Sequence, residues 1–297
     1  MTSTPPCPNV RAVHPHDPEY PARLLDLGAR RPDPLFTLGS APWPPGPVAT
    51  VVGARAETRY ARRVTLRIVA GLVAARVTVA SGLARGVDAS AHRAALARGG
   101  FTVAVLGVGI DQVYPPEHAS LYTTILDRGR LLSPWEAGEG VRRGRFPARN
   151  RVLAALADLV IVTQADAQSG SRHTVRAALE LGRAVCVAPW PLGQPQYEGG
   201  ASWVRAAFPR VRVLTAFDEA ARLAWAAYEA KPVHEPAPRE SLPERLVALM
   251  SGTARDLEAL ARAADAAVGE TAAALLALEI AGRVERVPGD RYRRRLD

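Results

Sequence analysis

From Pro47 onward, short apolar runs alternate with stretches of helical period. The runs are rich in β-branched residues and fall at 48–52, 77–80, 101–106, 159–162, 184–188 and 211–214. Between most of them, apolar positions recur with helical spacing, over 61–75, 88–98, 119–128, 175–181 and 217–228. A strand that is apolar at nearly every position is buried on both faces. With helices between such strands, the sheet is parallel and covered on each side. The pattern predicts an α/β fold over residues 48–228, a doubly wound, Rossmann-like parallel sheet.

Two further regions flank this domain. Residues 1–47 are rich in proline and hold one short apolar patch at 34–39. They are expected to pack on the main domain and not to fold alone. Residues 229–240 contain three prolines and no periodicity, which predicts an extended linker. Residues 241–297 show helical spacing over 242–250, 256–264 and 271–281, then a hairpin pattern around Pro288-Gly289-Asp290. Three helices and a hairpin describe a small C-terminal winged-helix domain.

The chain has 297 residues, 48% of them hydrophobic, so a sizeable core is available and global disorder is excluded. Cys7 and Cys186 cannot build a disulfide framework, which points to an intracellular, cytoplasmic protein. No apolar run reaches the length of a membrane span, and residues 1–8 lack the features of a signal peptide. His14 and His16, without neighbouring cysteines or a carboxylate cluster, do not make a metal site. The formal net charge of +9 is unevenly placed. Residues 48–228 hold 23 Arg against 13 acids, whereas 240–297 hold nine Arg against ten acids. The basic excess belongs to the main domain, as a polyanion partner requires. Arginine supplies 37 of the 38 basic residues, so general arginine richness explains part of that excess.

Ligands of doubly wound sheets bind beyond the carboxyl ends of the strands. Small residues gather there: Gly53-Ala54-Arg55, Ser81-Gly82-Leu83-Ala84-Arg85-Gly86, Gly107-Val108-Gly109, Ser133-Pro134 and Ser169-Gly170-Ser171. Such turns admit a ligand to the backbone and to the free N–H groups of the helices that follow. The dinucleotide fingerprint is absent, because Gly53 is the only glycine of its turn and Ser81 stands where a ribose-binding acid belongs. The phosphate-binding P-loop is absent too, and the only lysine is Lys231. No cofactor is expected. The densest basic run lies at 141–151, after a strand near Leu131-Leu132, and reads as an arginine-rich loop with Arg145, Phe146, Arg149 and Arg151. Guanidinium groups around one aromatic ring suit single-stranded nucleic acid.

These motifs, in this order, resemble the DNA-processing protein A (DprA/Smf) family. The likeness rests on Val51-Val52-Gly53-Ala54-Arg55, Ser81-Gly82-Leu83-Ala84-Arg85-Gly86-Val87-Asp88 continuing to His92, Val105 to Pro115, Phe146-Pro147-Ala148-Arg149-Asn150-Arg151, and Ser169-Gly170-Ser171. The resemblance implies a Rossmann-like protein that binds single-stranded DNA and forms a homodimer. It further implies help in loading a RecA-type recombinase during natural transformation. Carried over by motif, the DNA contacts are Arg55, Gly82, Arg85, Phe146, Arg149, Asn150, Ser169, Gly170 and Ser171. The same edge adds Leu83, Gly107, Gly109, Arg145 and Arg151 as candidates. Asp88 and His92 are expected to hydrogen-bond neighbouring turns, with DNA contact as the alternative. The chain departs from the family pattern at Pro134, Ala165-Asp166-Ala167-Gln168, Arg172-His173 and Glu198-Gly199-Gly200-Ala201. The alternative reading is a Rossmann-like hydrolase of the N-glycosidic bond. The turn Ser169-Gly170-Ser171-Arg172-His173-Thr174 lacks the acid such an enzyme needs, and no catalytic residues are assigned.

Overall fold

The computed structural model describes residues 10–39, 41–230, 241–250, 254–264, 266–288 and 291–294. The chain divides into two compact units, Met1–Glu235 and Pro236–Asp297.

The first unit is built on one nine-stranded sheet. Its strands are β1 (Arg11–Val13), β2 (Leu35–Leu38), β3 (Val48–Val52), β4 (Thr78–Ser81), β5 (Thr102–Val105), β6 (Arg130–Ser133), β7 (Leu159–Val162), β8 (Ala184–Val187) and β9 (Val211–Val213). The helices are α1 (Arg59–Ala74), α2 (Val87–Ala97), α3 (Ala119–Arg128), α4 (Arg145–Leu156), α5 (Ser171–Glu180), α6 (Glu198–Ala207) and α7 (Glu219–Glu229). The order across the sheet is β1-β2-β6-β5-β4-β3-β7-β8-β9. Strands β3 to β9 pair in parallel. From β3 the chain winds outward through β4, β5 and β6, then returns to β7 on the other side. The reversal between β3 and β7 is a topological switch point.

The doubly wound sheet predicted from the apolar runs is present, with one correction. Residues 10–39 do more than cover the domain. Within them β1 and β2 extend the sheet, with β2 antiparallel to β6 and β1 antiparallel to β2. The short run Leu35-Phe36-Thr37-Leu38 thereby covers the open hydrogen-bonding edge of β6. All five residues of β3 are buried, because helices pack on both faces. On one face, Leu153 and Leu156 of α4 and Val175 of α5 meet Val160 and Val185. On the other, Ile68 and Leu72 of α1 and Ala91 of α2 meet Val51, Val79 and Ile161. Helix α1 shows the expected logic: Val64, Ile68 and Leu72 form one stripe, and the Thr58 side chain accepts from Ala61 N–H to cap the start.

Two helices went unpredicted, α4 and α6. The basic run read as a loop enters helix at Arg145, so Phe146, Arg149, Asn150 and Arg151 all ride on α4. Pro147 fits in the first turn, where N–H groups have no helical acceptor. The apolar stretch Val152-Leu153-Ala154-Ala155-Leu156 anchors the rest, with each side chain buried.

The second unit holds α8 (Leu242–Leu249), β10 (Arg255–Asp256), α9 (Leu257–Ala263), α10 (Val268–Ile280), β11 (Val284–Val287) and β12 (Arg291–Arg294). Ser241 and Glu244 form a capping box at α8. Leu246, Leu260, Leu275, Leu278 and Val284 make its core. Strands β11 and β12 pair antiparallel, as a wing does, and β10 joins β12. Gly289 and Asp290, at the expected turn, lie outside the described residues, as does 231–240 of the expected linker; α7 runs to Glu229, where that linker was expected to begin.

Candidate nucleic-acid interface

A cleft of about 680 Å³ opens at the switch point, beyond the carboxyl ends of β3 and β7. Four helices start around this edge of the sheet, α1, α2, α4 and α5, each presenting its positive end. Of the residues expected to form the site, the fold brings Arg55, Phe146, Arg149, Asn150, Ser169, Gly170 and Ser171 to the cleft wall.

The backbone of the cleft is held by cross-links between strand ends. Ala54 N–H donates to Gln164 O at 2.9 Å, and Thr58 N–H donates to Gln164 Oε1 at 2.8 Å. Val87 N–H donates to Ala54 O at 3.2 Å, which ties the α2 start to the turn after β3. The close approach demands Gly53, where a Cβ would come within 2.6 Å of Val87 Cγ2. Gln164 was missed by motif reasoning. Its one sequence signal is a polar residue two positions after the apolar run of β7.

Arg149 has a different role from its motif neighbours. It is 4% exposed. Its guanidinium donates to Gly82 O and, at 2.5 Å, to Val105 O, so it staples the ends of β4 and β5. A Cβ at Gly82 would collide with that guanidinium. Burial lowers the Arg149 pKa to about 10, with nearby Asp88 opposing the shift, so it stays cationic at neutral pH. Asp88 receives Gly82 N–H at 3.1 Å and Ala84 N–H at 3.4 Å. Burial raises its pKa, and Arg149 opposes this. His92 is wholly buried, with Nδ1 2.7 Å from Thr102 Oγ1, and burial pushes its pKa down to about 3. Asp88 serves the turn after β4, as expected, whereas the partner of His92 is Thr102, the first residue of β5, and not a turn residue.

The exposed chemistry of the cleft centres on Phe146. Its half-buried ring lies against Gly107, where a Cβ would come within 2.7 Å of the ring. The guanidinium carbon of Arg55 stands 5.7 Å from the ring centroid, and the Tyr114 ring lies 5.6 Å away on a tilted plane. Arg55 is exposed and has no ion-pair partner among the described residues. Across the cleft, Ser169 Oγ accepts from Ser171 N–H at 3.3 Å at the start of α5, and Asn150 Nδ2 lies 3.5 Å from Gly170 O. Asp166, exposed, and His173, half-buried, complete the far wall.

The remaining expected residues lie outside the cleft lining. Leu83 is fully buried at φ 57°, and its carbonyl is 3.0 Å from His118 Nδ1. Arg85 is exposed but ion-paired with Glu117. Gly109 N–H donates to Glu139 O at 2.6 Å. Arg145 is buried against Glu139, Gly140 O and the Trp135 ring. Arg151 is exposed on α4. Of the five arginines in the basic run, only Arg142, Arg143 and Arg151 are thus exposed.

The family described as DNA recombination-mediator protein A matches residues 11–218. The DprA winged helix domain matches residues 230–290. The chain is 31% identical to Protein Smf of Synechocystis, over 97% of this chain and 81% of that protein. It is 40% identical to DNA processing protein DprA of Streptococcus pneumoniae, over 52% of this chain and 55% of that protein. Against Protein Smf of Escherichia coli the identity is 37%, and the match likewise spans about half of that protein. The solved structure of the S. pneumoniae DprA superposes with TM-score 0.66 at 31% identity, over 75% of each chain. DprA of Helicobacter pylori, solved in a study of its single-stranded DNA binding mode, shares the fold with TM-score 0.64 at 24% identity, over 74% of this chain and 97% of that one. With its switch-point cleft, its parallel sheet and its winged helix, the chain belongs to the DNA recombination-mediator protein A family, the DprA/Smf proteins.

Proposed function

We propose that this protein holds single-stranded DNA on the carboxyl edge of the sheet and breaks no bond in it. The observation that carries this reading is the Arg55–Phe146 pair. An exposed guanidinium without an acidic partner among the described residues sits beside an aromatic ring at the switch point. Bases stack on such a ring without sequence preference, and guanidinium groups meet the phosphates. The H. pylori relative, whose structure was solved for its single-stranded DNA binding mode, supports it. Arg149 staples Gly82 behind the cleft, Gly107 backs the Phe146 ring, and Leu83, Arg85, Gly109, Arg145 and Arg151 lie outside the lining. In this reading the protein acts in the cytoplasm as a homodimer during natural transformation, where it assists loading of a RecA-type recombinase.

The test is a gel-shift comparison of single- and double-stranded DNA across a salt series. Single strands should bind more tightly, with a log–log salt slope of roughly −0.7 for each phosphate neutralised. A slope of zero would remove the basic-cleft reading. The hydrolase alternative predicts release of free base from AMP, which the same protein preparation can be asked to show.

A further inference from the structure

The amino side of the sheet carries a second concavity, of about 480 Å³, that shares no lining residue with the cleft. Leu35 and Leu132 lie on its floor, and Tyr20 and the Trp43 loop line its walls. Its volume falls within the range of small-molecule sites, which bury one ligand. It lies wholly within the first unit.

Arg130, the first residue of β6, carries the polar chemistry. Its Nη2 donates to Ala41 O at 2.7 Å, two residues before Trp43. Its Nε is buried without a hydrogen-bond partner. Among the described residues no carboxylate lies within ion-pair distance of it; Glu19, which lines the same cavity, is bonded to Arg11 at 2.7 Å. Burial lowers the Arg130 pKa, and the charge of Arg11 lowers it further, with Glu19 opposing. A half-buried guanidinium with one neutral acceptor is unfavourable, and an anion would relieve it. The apolar walls call for more than a bare anion. Trp43 is half-buried, packed at a tilt on Phe101 with ring centroids 6.3 Å apart, and its indole N–H has no acceptor among the described residues.

We infer that this cavity is a binding site for a small aromatic anion of the mononucleotide class, with the planar ring against Trp43 and the phosphate on Arg130. The site is independent of the DNA cleft.

Calorimetric titration of the full chain with dAMP, deoxyadenosine and inorganic phosphate tests it. dAMP should bind saturably, and each half-ligand should bind at least about tenfold more weakly, as loss of a charge-assisted contact implies. Arg130→Gln and, separately, Trp43→Leu should each weaken dAMP binding by about tenfold at unchanged melting temperature. A double variant, Phe146→Ala with Arg55→Ala, removes any dAMP held in the DNA cleft; binding that survives in it is the cavity's, so failure here is distinct from failure of the DNA reading. The proposal falls if dAMP does not bind. It falls equally if phosphate alone binds as well, if both cavity variants bind normally, or if the cleft double variant abolishes binding instead.

Discussion

Arg23 and Arg183 at one end of the sheet and Arg55 at the other are used in opposite ways. At the amino end, Arg23 bonds the fully buried Asp158 at 2.9 Å, and Asp158 also accepts Val48 N–H at 2.8 Å. Arg183, 6% exposed, is ion-paired with Asp26 and donates to Ala155 O at 2.8 Å. At the carboxyl end, Arg55 is exposed, with the Phe146 ring beside it and no ion-pair partner among the described residues. A paired, buried arginine holds the fold together. An exposed arginine that lacks a partner keeps its donors for a ligand. The contrast also explains Arg149, which lies at the ligand end yet is buried on carbonyls and therefore belongs with the structural group. Arg130 is the reverse case, an unpaired guanidinium at the amino end.

If this division holds, variants at the amino end should change stability and leave DNA affinity alone. The largest effect is expected for Asp158→Ala. It strands Val48 N–H and leaves Arg23 uncompensated, and loss of one partner of a buried pair costs about 3–5 kcal/mol. Urea unfolding reads this directly. A folded variant that had lost DNA binding would break the division.

Next comes the acid limb of stability. His92 has a folded pKa of about 3, below its unfolded value of 6.5. Below pH 6.5 the unfolded chain takes up a proton that the native state refuses, so stability falls as pH falls from 6.5 toward 3. The slope approaches about 1.4 kcal/mol per pH unit. His92→Gln should flatten that limb in urea titrations at pH 7, 6 and 5. An unchanged limb would show that His92 is protonated in place.

At the carboxyl end, Phe146→Ala should weaken single-stranded DNA binding by about 1–3 kcal/mol, and Phe146→Trp should largely preserve it. The melting temperature should move little, because the ring is half-buried and not in the core. A large fall in melting temperature with affinity intact would move Phe146 to the structural group. The smallest effect is expected for Arg55→Ala, which should make the log–log salt slope shallower by about 0.7. An unchanged slope would mean that Arg55 meets no phosphate.

Much of this molecule was legible in its sequence. Apolar runs such as 159–162 fixed the strands, since a chain segment buried on both faces must be apolar at every position. Helical spacing fixed α1 and α3. Glycine-rich strand ends located the binding edge, because only small residues leave the backbone open there. The breaks at 145 and 198 were not legible. A helix that opens on Arg-Phe-Pro-Ala-Arg-Asn-Arg shows no apolar stripe in its first two turns, and α6 opens on Glu198-Gly199-Gly200. The strand character of residues 35–38 depends on a partner edge more than 90 residues away, on β6, and residues 11–13 in turn pair with that strand.

What the sequence determined by itself, then, was local: periodicity, the charge of each segment and the motif residues, all set by neighbours along the chain. Which arginines face a ligand was decided only in three dimensions. Arg55 and Arg149 are equally charged and both motif-borne, yet one meets solvent and the other the carbonyls of Gly82 and Val105. That outcome depends on desolvation and on acceptors brought from 67 and 44 residues away in the chain. No local pattern encodes such distances; the parallel pairing of β4 and β5 beside α4 supplies them.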